Sequence, residues 1–354
     1  MSTEKDKPVL GISIGDTNGI GLEVIIKTFG DPRMLQYCTP IIYGNVPLMT
    51  FHRKTVDVKN FNTNPITAPE QAHARRVNMI NCVDDQLKVN FGVRSYDGGR
   101  AAFQSLQAMV KDAVDGKLQA MVTAPIDKFA MQSQDFKVPG HTEYITEAFK
   151  MKTTLMLMSS ELFKVGLVTG HVPLSQVSAN ISIDKILAKL KIFDTSLMND
   201  FSIVRPKIAV LGLNPHAGEE GLLGNEEKDI IIPAIEKAKA EGIIAEGPFP
   251  ADGFFGSRMY NSFDGILAMY HDQGLAPFKI MNFESGVNYT AGLPVVRTSP
   301  DHGTGYSIAG RNLANENSFR EAVLLASDII KSRRREVEIH ANPLRNRMVK
   351  EREV

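Results

Sequence analysis

Short apolar runs alternate with longer amphipathic stretches along most of this chain. Val9 to Ile14 is apolar and stops at Gly15-Asp-Thr-Asn-Gly-Ile-Gly21, and Leu22 to Phe29 then carries helical character. The opening therefore reads as a strand, a glycine-rich turn and a helix. Pro40 to Gly44 reads as the next strand, with a helix over Val46 to Arg53. From 54 to 95 the pattern fails, because Asn, Thr and Pro crowd Asn60 to Pro69, and an irregular excursion with a few strands is expected there. Order returns where Ala101, Ala102, Leu106, Met109, Val110 and Ala113 mark one helix face up to Gly116, before the buried-type strand Ala120 to Pro125. Thr154–Met158, Lys164–Thr169, Lys207–Leu213 and Ile266–Tyr270 read as further strands, and Ile183–Asn199, Glu226–Glu241 and Ser318–Lys331 as helices. Alternation of this kind implies βαβ units, a mostly parallel sheet and helices on both faces, an α/β fold.

In open α/β sheets ligands bind beyond the carboxyl ends of the strands. Three of the expected strands run out at Gly170-His171, at Asn214-Pro215-His216 and at His271-Asp272. A lone histidine is more often a hydrogen-bonded core or surface residue, but three at one sheet edge make a metal site that leaves positions open for substrate. Zn²⁺ suits three imidazoles, with Mg²⁺, Mn²⁺ and Co²⁺ left open. Glu219 and Asp272 lie close enough in sequence to orient the rings, and Pro173 and Pro215 stiffen two of the turns.

Lys279, Asn288 and Arg297 follow within a short span and fit a phosphate or carboxylate on a small substrate. Arg297 directly ends the apolar run Leu-Pro-Val-Val. His141 and Thr142, in Val138-Pro-Gly-His-Thr-Glu-Tyr144, can hydrogen-bond a ligand or merely cap a helix. Lys279 and Asp272 are the candidates for taking a proton, with anion binding preferred for Lys279. The Gly15–Gly21 turn lacks the GxGxxG spacing, so anion binding and plain turn formation both stay open.

Length and charge narrow the class. At 354 residues the chain suggests two domains, and 43% hydrophobic with 23% charged residues is ordinary for a globular protein. Forty basic residues balance 40 acidic ones, so the overall field offers no case for nucleic acid or an anionic membrane. The two cysteines, Cys38 and Cys82, form no CxxC pair and suit a reducing compartment. Met1 to Lys7 lacks a signal-peptide core and no apolar run reaches membrane-spanning length, so a cytoplasmic protein is expected. Beyond Arg333-Arg-Arg335 the charge density predicts a solvated, frayed tail over 336–354.

Seven motifs then stand in a known order: Gly15-Asp-x-x-Gly-Ile-Gly21, Pro139-Gly-His-Thr-Glu143, Thr169-Gly-His-Val-Pro-Leu174, Gly212-Leu-Asn-Pro-His-Ala-Gly-Glu219, Gly247-Pro-Phe-Pro-Ala-Asp252, Tyr270-His-Asp-Gln-Gly274 and Arg297-Thr-Ser-Pro-Asp-His-Gly-Thr304. From about Val9 to Lys331 the chain resembles the 4-hydroxythreonine-4-phosphate dehydrogenase family of pyridoxal phosphate biosynthesis. The resemblance implies that His171, His216 and His271 hold a divalent metal and that His141, Thr142, Lys279, Asn288 and Arg297 touch substrate. It also implies a homodimer whose partner subunit completes each metal site.

Asp301 to Arg311 looks like the nucleotide loop of the wider isocitrate and isopropylmalate dehydrogenase fold, which binds NAD or NADP without a Rossmann fingerprint. That likeness assigns Asp301, His302, Gly303, Thr304 and Gly310 to the cofactor. It also implies two α/β/α domains with the active site in the cleft between them: 1–125 with 285–335 for the nucleotide, and 126–284 for metal and dimer. The implied reaction is NAD-dependent oxidation of 4-phosphooxy-L-threonine followed by decarboxylation. A sister activity on threonate or erythronate 4-phosphate, or a phosphate acyltransferase needing neither NAD nor the histidines, is the alternative. Thr17, Asn18 and Leu22 depart from the family's first loop, which bears on the stiffness of that turn. Gly305 and Tyr306 change its nucleotide loop.

Overall fold

The computed structural model describes residues 7–58, 61–132 and 140–341. The expectations for Met1–Asp6, Asn60, Val138–Pro139 and the tail from 342 lie outside the described residues. The described strands are β1 (Val9–Ser13), β2 (Thr39–Gly44), β3 (Thr63–Ile66), β4 (Val77–Asn81), β5 (Ala120–Thr123), β6 (Leu155–Ser159), β7 (Lys164–Leu167), β8 (Lys207–Leu211), β9 (Ile244–Phe249), β10 (Gly265–Ala268), β11 (Val287–Ala291) and β12 (Val296–Pro300). Between them run helices α1 (Gly21–Gly30), α2 (Val46–Arg53), α3 (Tyr96–Val114), α4 (Lys128–Met131), α5 (His141–Ala148), α6 (Ile183–Asn199), α7 (Ile232–Ala240), α8 (Ala251–Gly256), α9 (His271–Asn282) and α10 (Asn317–Ala341).

The strands form one sheet in the order β3-β4-β2-β1-β5-β12-β11-β6-β7-β10-β8-β9. Every pairing is parallel except those of β11 with β12 and with β6, and of β6 with β7. The fold is α/β with a large, mostly parallel sheet. Because direction alternates through β11 and β6, the block ending at β12 and the block starting at β7 present their carboxyl ends to opposite edges. This arrangement decides where the site can form.

Local chemistry explains most boundaries. β1, β2, β5 and β10 are apolar and buried almost throughout, as strands covered on both faces must be. Asn45, Ser95 and Ser182 cap α2, α3 and α6 by accepting from the N–H groups of Leu48, Gly98 and Lys185. The face of α3 buried against the sheet contains the six positions that the sequence spacing singles out. The expected helix over 226–241 opens instead as a π-helical turn, Glu227–Ile231, before α7.

Two differences concern the C-terminal third. Residues 296–300, not expected as a strand, form β12, in which Arg297, Thr298 and Ser299 are all buried. Residues 336–341 are not a frayed tail, since α10 continues to Ala341. The extension is anchored by Arg333, whose Nε lies 2.6 Å from Asp200 Oδ1 and whose Nη2 donates to Tyr289 Oη at 3.0 Å. No helix among the described residues is long and apolar enough to cross a membrane.

Candidate active site

A cavity of about 200 Å³ opens on the sheet face over β5, β12, β11 and β6. The two-residue period of strands puts Thr123, Arg297, Ser299, Asn288 and Met156 on that face. The start of α5 covers it with His141, Thr142 and Glu143, and Lys128 of α4 lies beside them. His171, from the loop after β7, and His302-Gly303, from the loop after β12, complete the walls. Residues following the carboxyl ends of both parallel blocks thus meet across the antiparallel centre.

Arg297 is the electrostatic centre. It is 2% exposed, and its guanidinium donates to Thr123 Oγ1 at 2.7 Å and to Thr290 Oγ1 at 3.1 Å, with Thr142 Oγ1 at 3.5 Å and His141 Nδ1 at 3.4 Å. All of these partners are neutral: burial, reinforced by Arg297 and Lys128, holds His141 well below the usual imidazole range. Among the described residues no carboxylate comes within ion-pair distance of the guanidinium. Burial lowers its pKa to about 10, against the opposing pull of the Glu143 carboxylate. A cation removed from water without a counter-ion is costly unless an anion joins it.

Among the described residues, four buried polar atoms around this space find no partner: Arg297 Nε, His141 Nε2, Asn288 Oδ1 and His302 Nε2. Native interiors rarely leave such atoms bare except where a ligand or water is to be bound. Four of the five expected substrate contacts, His141, Thr142, Asn288 and Arg297, therefore converge. Lys279 stands apart on α9, its Nζ 3.0 Å from Asp301 Oδ1. Burial raises the Asp301 carboxyl, partly offset by Lys279.

Of the expected metal histidines, His171 and His271 meet, with ring centroids 5.6 Å apart. Burial, helped by Lys128, lowers the His171 pKa and keeps its ring neutral, as a ligand must be. Asp272 Oδ1 lies 2.6 Å from His271 Nδ1, which orients the ring and frees Nε2 to point elsewhere. His216 does not join them. It opens a run of left-handed residues through Glu220, which also carries the exposed Glu219. Among the described residues no group of three His, Cys, Asp or Glu side chains is gathered to hold a metal. Of the three expected ligands, one chain therefore brings two imidazoles together, those of His171 and His271.

The first loop resolves as a structural turn. The N–H groups of Asp16, Asn18, Gly19 and Ile20 bond to Pro125 O, Asp16 Oδ1, Asp16 O and Thr304 O, so these four are committed to holding the turn. Asn18, a departure from the family's first loop, stiffens it: Nδ2 donates to Val93 O and Ser95 Oγ, and Oδ1 accepts from Asn90 N. Tyr306, a departure in the nucleotide loop, donates to Asp16 Oδ2 at 2.8 Å and approaches Asp127 Oδ2 at 3.3 Å, fastening the 301–310 loop to the first. Gly310 has φ +73° and the Phe91 ring against it, so no side chain fits there. Gly303 is exposed with open space around it. Sequence reasoning missed Thr123, Lys128 and Ser299; the carboxyl-end rule applied to β5 would have found Thr123.

The family pattern of the pyridoxal phosphate biosynthetic protein PdxA matches residues 36–326. The chain belongs to that family. It is similar to a 4-hydroxythreonine-4-phosphate dehydrogenase of Bacteroides thetaiotaomicron, 49% identical over 352 residues, which cover 99% of this chain and 96% of that protein. A D-threonate 4-phosphate dehydrogenase of Cupriavidus necator is 37% identical over 326 residues, 91% of this chain and 97% of its own. The crystal structure of a 4-hydroxythreonine-4-phosphate dehydrogenase from Klebsiella pneumoniae superposes with a TM-score of 0.80 at 32% identity, covering 92% of this chain and 98% of that one. Membership at this coverage makes the protein a dehydrogenase of the PdxA family, and its fold is the one seen in the Klebsiella structure.

Proposed function

We propose that this chain oxidises the C3 hydroxyl of 4-phosphooxy-L-threonine to a β-keto acid, which loses carbon dioxide to give 3-amino-2-oxopropyl phosphate. The observation that carries the reading is the buried Arg297, without a counter-ion among the described residues, whose own unpartnered Nε shares one cavity with three further unpartnered polar atoms. Such a site is built for a small anion with further polar groups. Arg297, with Thr142 and His141 beside it, binds the phosphate or carboxylate of the substrate. Asn288 Oδ1 takes up one of its remaining polar groups, and Lys279, held by Asp301, adds positive charge at the rim.

When bound, NAD or NADP accepts the hydride and a divalent cation, Zn²⁺ ahead of Mg²⁺, Mn²⁺ or Co²⁺, supplies Lewis acidity at the oxidised oxygen. His171, His216 and His271 would hold the cation, with the donor set completed across a homodimer. Asp272 keeps the His271 ring in position rather than removing the substrate proton. Asp301, His302, Gly303, Thr304 and Gly310 would face the nucleotide. Residues 1–125 with 285–335 would form the nucleotide domain and 126–284 the metal and dimer domain, in a cytoplasmic enzyme.

The test is the purified protein with 4-phosphooxy-L-threonine, NAD and added Zn²⁺ or Mg²⁺, with and without chelator, followed by NADH absorbance. No NADH under any metal condition would overturn the reading. The Cupriavidus relative motivates a second reading, D-threonate 4-phosphate as the substrate. A panel of four-carbon phosphates separates the two by kcat/KM.

A further inference from the structure

The three histidines stand on three connections, His171 after β7, His216 after β8 and His271 after β10, where it opens α9. Each pair of loops is joined by one side chain. Thr169, two residues before His171, donates through Oγ1 to the carbonyl of Met269, two residues before His271, at 2.7 Å. Gln273, two residues after His271, accepts from Met269 N at 2.7 Å and donates through Nε2 to the carbonyl of Gly212, at the end of β8, at 2.6 Å. Glu226 closes the circuit. Its Oε1 accepts from Ser178 Oγ at 2.6 Å, in the segment that continues from His171, and its Oε2 from Asn214 Nδ2 at 2.7 Å, two residues before His216.

Beneath this third link lies a second carboxylate. Glu227, 3% exposed, accepts from the N–H groups of Leu213 and Asn214 at 2.7 Å each and from Asn214 Nδ2 at 2.9 Å. Such anchoring is needed because His216, Ala217, Glu219 and Glu220 all take positive φ, a conformation that costs roughly 1–2 kcal/mol per non-glycine residue. Without the links, His216 would relax away from its place.

We infer that Thr169, Gln273 and Glu226 are positioning residues that lock the three histidine loops into one frame, none of them touching the ion or substrate. The inference rests on reading His171, His216 and His271 as a metal site. Partners of this kind, one bond removed from the ligands, set metal affinity by about tenfold to 100-fold.

The experiment uses metal-free full-length protein. Zn²⁺ affinity is measured by competition with a chromophoric chelator, and the absorption spectrum of bound Co²⁺ reports coordination geometry, for the wild type, His271→Ala, Gln273→Met, Glu226→Ala and Thr169→Val. The expected result is loss of tight Zn²⁺ binding in His271→Ala, and about tenfold to 100-fold weaker binding with an altered Co²⁺ spectrum in the other three. Glu226 is only partly buried, so Glu226→Ala should keep its thermal unfolding midpoint and carries the test if Gln273→Met fails to fold. Wild-type affinity and spectrum in Glu226→Ala and any folded partner variant would overturn the positioning role while leaving the metal site standing. Equal binding by wild type and His271→Ala would instead overturn the metal-site reading.

Discussion

At the scale of single residues, Arg297 separates binding from stability. Its charge is buried among neutral hydroxyls and an imidazole, so the unliganded fold carries a desolvated cation that contributes nothing obvious to packing. Replacing a buried charge by an apolar side chain of similar volume is often neutral or stabilising. Arg297→Met should therefore leave the unfolding midpoint unchanged or raised, while kcat/KM falls by at least about 100-fold, roughly 3 kcal/mol of charge-assisted bonding. Calorimetry and steady-state kinetics on one preparation check both halves, and a large drop in stability would show that the arginine is structural.

His52 gives a second residue-scale prediction, away from the site. It is 1% exposed, packed edge-on to Phe91 at 4.9 Å, and burial lowers its pKa from 6.5 to about 4. In the unfolded chain the imidazole takes up a proton as pH falls through about 6.5, but in the folded chain only near 4. The contribution is thus fully present above 6.5, declines between 6.5 and 4, and levels off below, amounting to roughly 3 kcal/mol. Urea unfolding across that window should show this slope in the wild type and a weaker one in His52→Phe. Identical slopes would assign the acid sensitivity to other groups.

At the scale of elements, the first loop works as a fastening. Asn18 makes three partly buried side-chain hydrogen bonds to the 90–95 segment, and Asn18→Ala leaves the N–H of Asn90 and the carbonyl of Val93 without those partners. A loss of roughly 2–4 kcal/mol is expected, read as a lower urea midpoint at unchanged slope. The sequence could show that a glycine-rich turn follows a strand, but Asn18 is held by residues 72, 75 and 77 positions away. The same limit governs the C-terminal third. β11 and β12 were not legible as strands because Asn288, Arg297, Thr298 and Ser299 interrupt their apolar pattern, and polar residues line them because they floor the cavity. The length of α10 depends on Arg333 reaching Asp200 across 133 residues. Helices with a clean apolar face, α2 and α6 above all, matched their expected bounds because that signal is local.

At the scale of the molecule, the reversal through β11 and β6 brings the anion-binding residues and the His171 loop to one cavity, yet leaves His216 outside the His171–His271 pair. Strand-end logic could place all three histidines at one edge, since β7, β10 and β8 are parallel neighbours, but could not foresee the left-handed turn that carries His216. If a second copy supplies that imidazole, inactive variants should complement one another. In a mixture of His171→Ala and His216→Ala chains, re-associated from dissociated subunits, about half the dimers are mixed, and one of the two sites in each combines intact histidines. Activity should therefore recover to about a quarter of wild type. His171→Ala mixed with His271→Ala should recover none, because those two rings lie 5.6 Å apart in one chain and every mixed site lacks one of them. Recovery in neither mixture would mean that one chain supplies all three histidines, and that His216 swings in to join the other two when the ion binds.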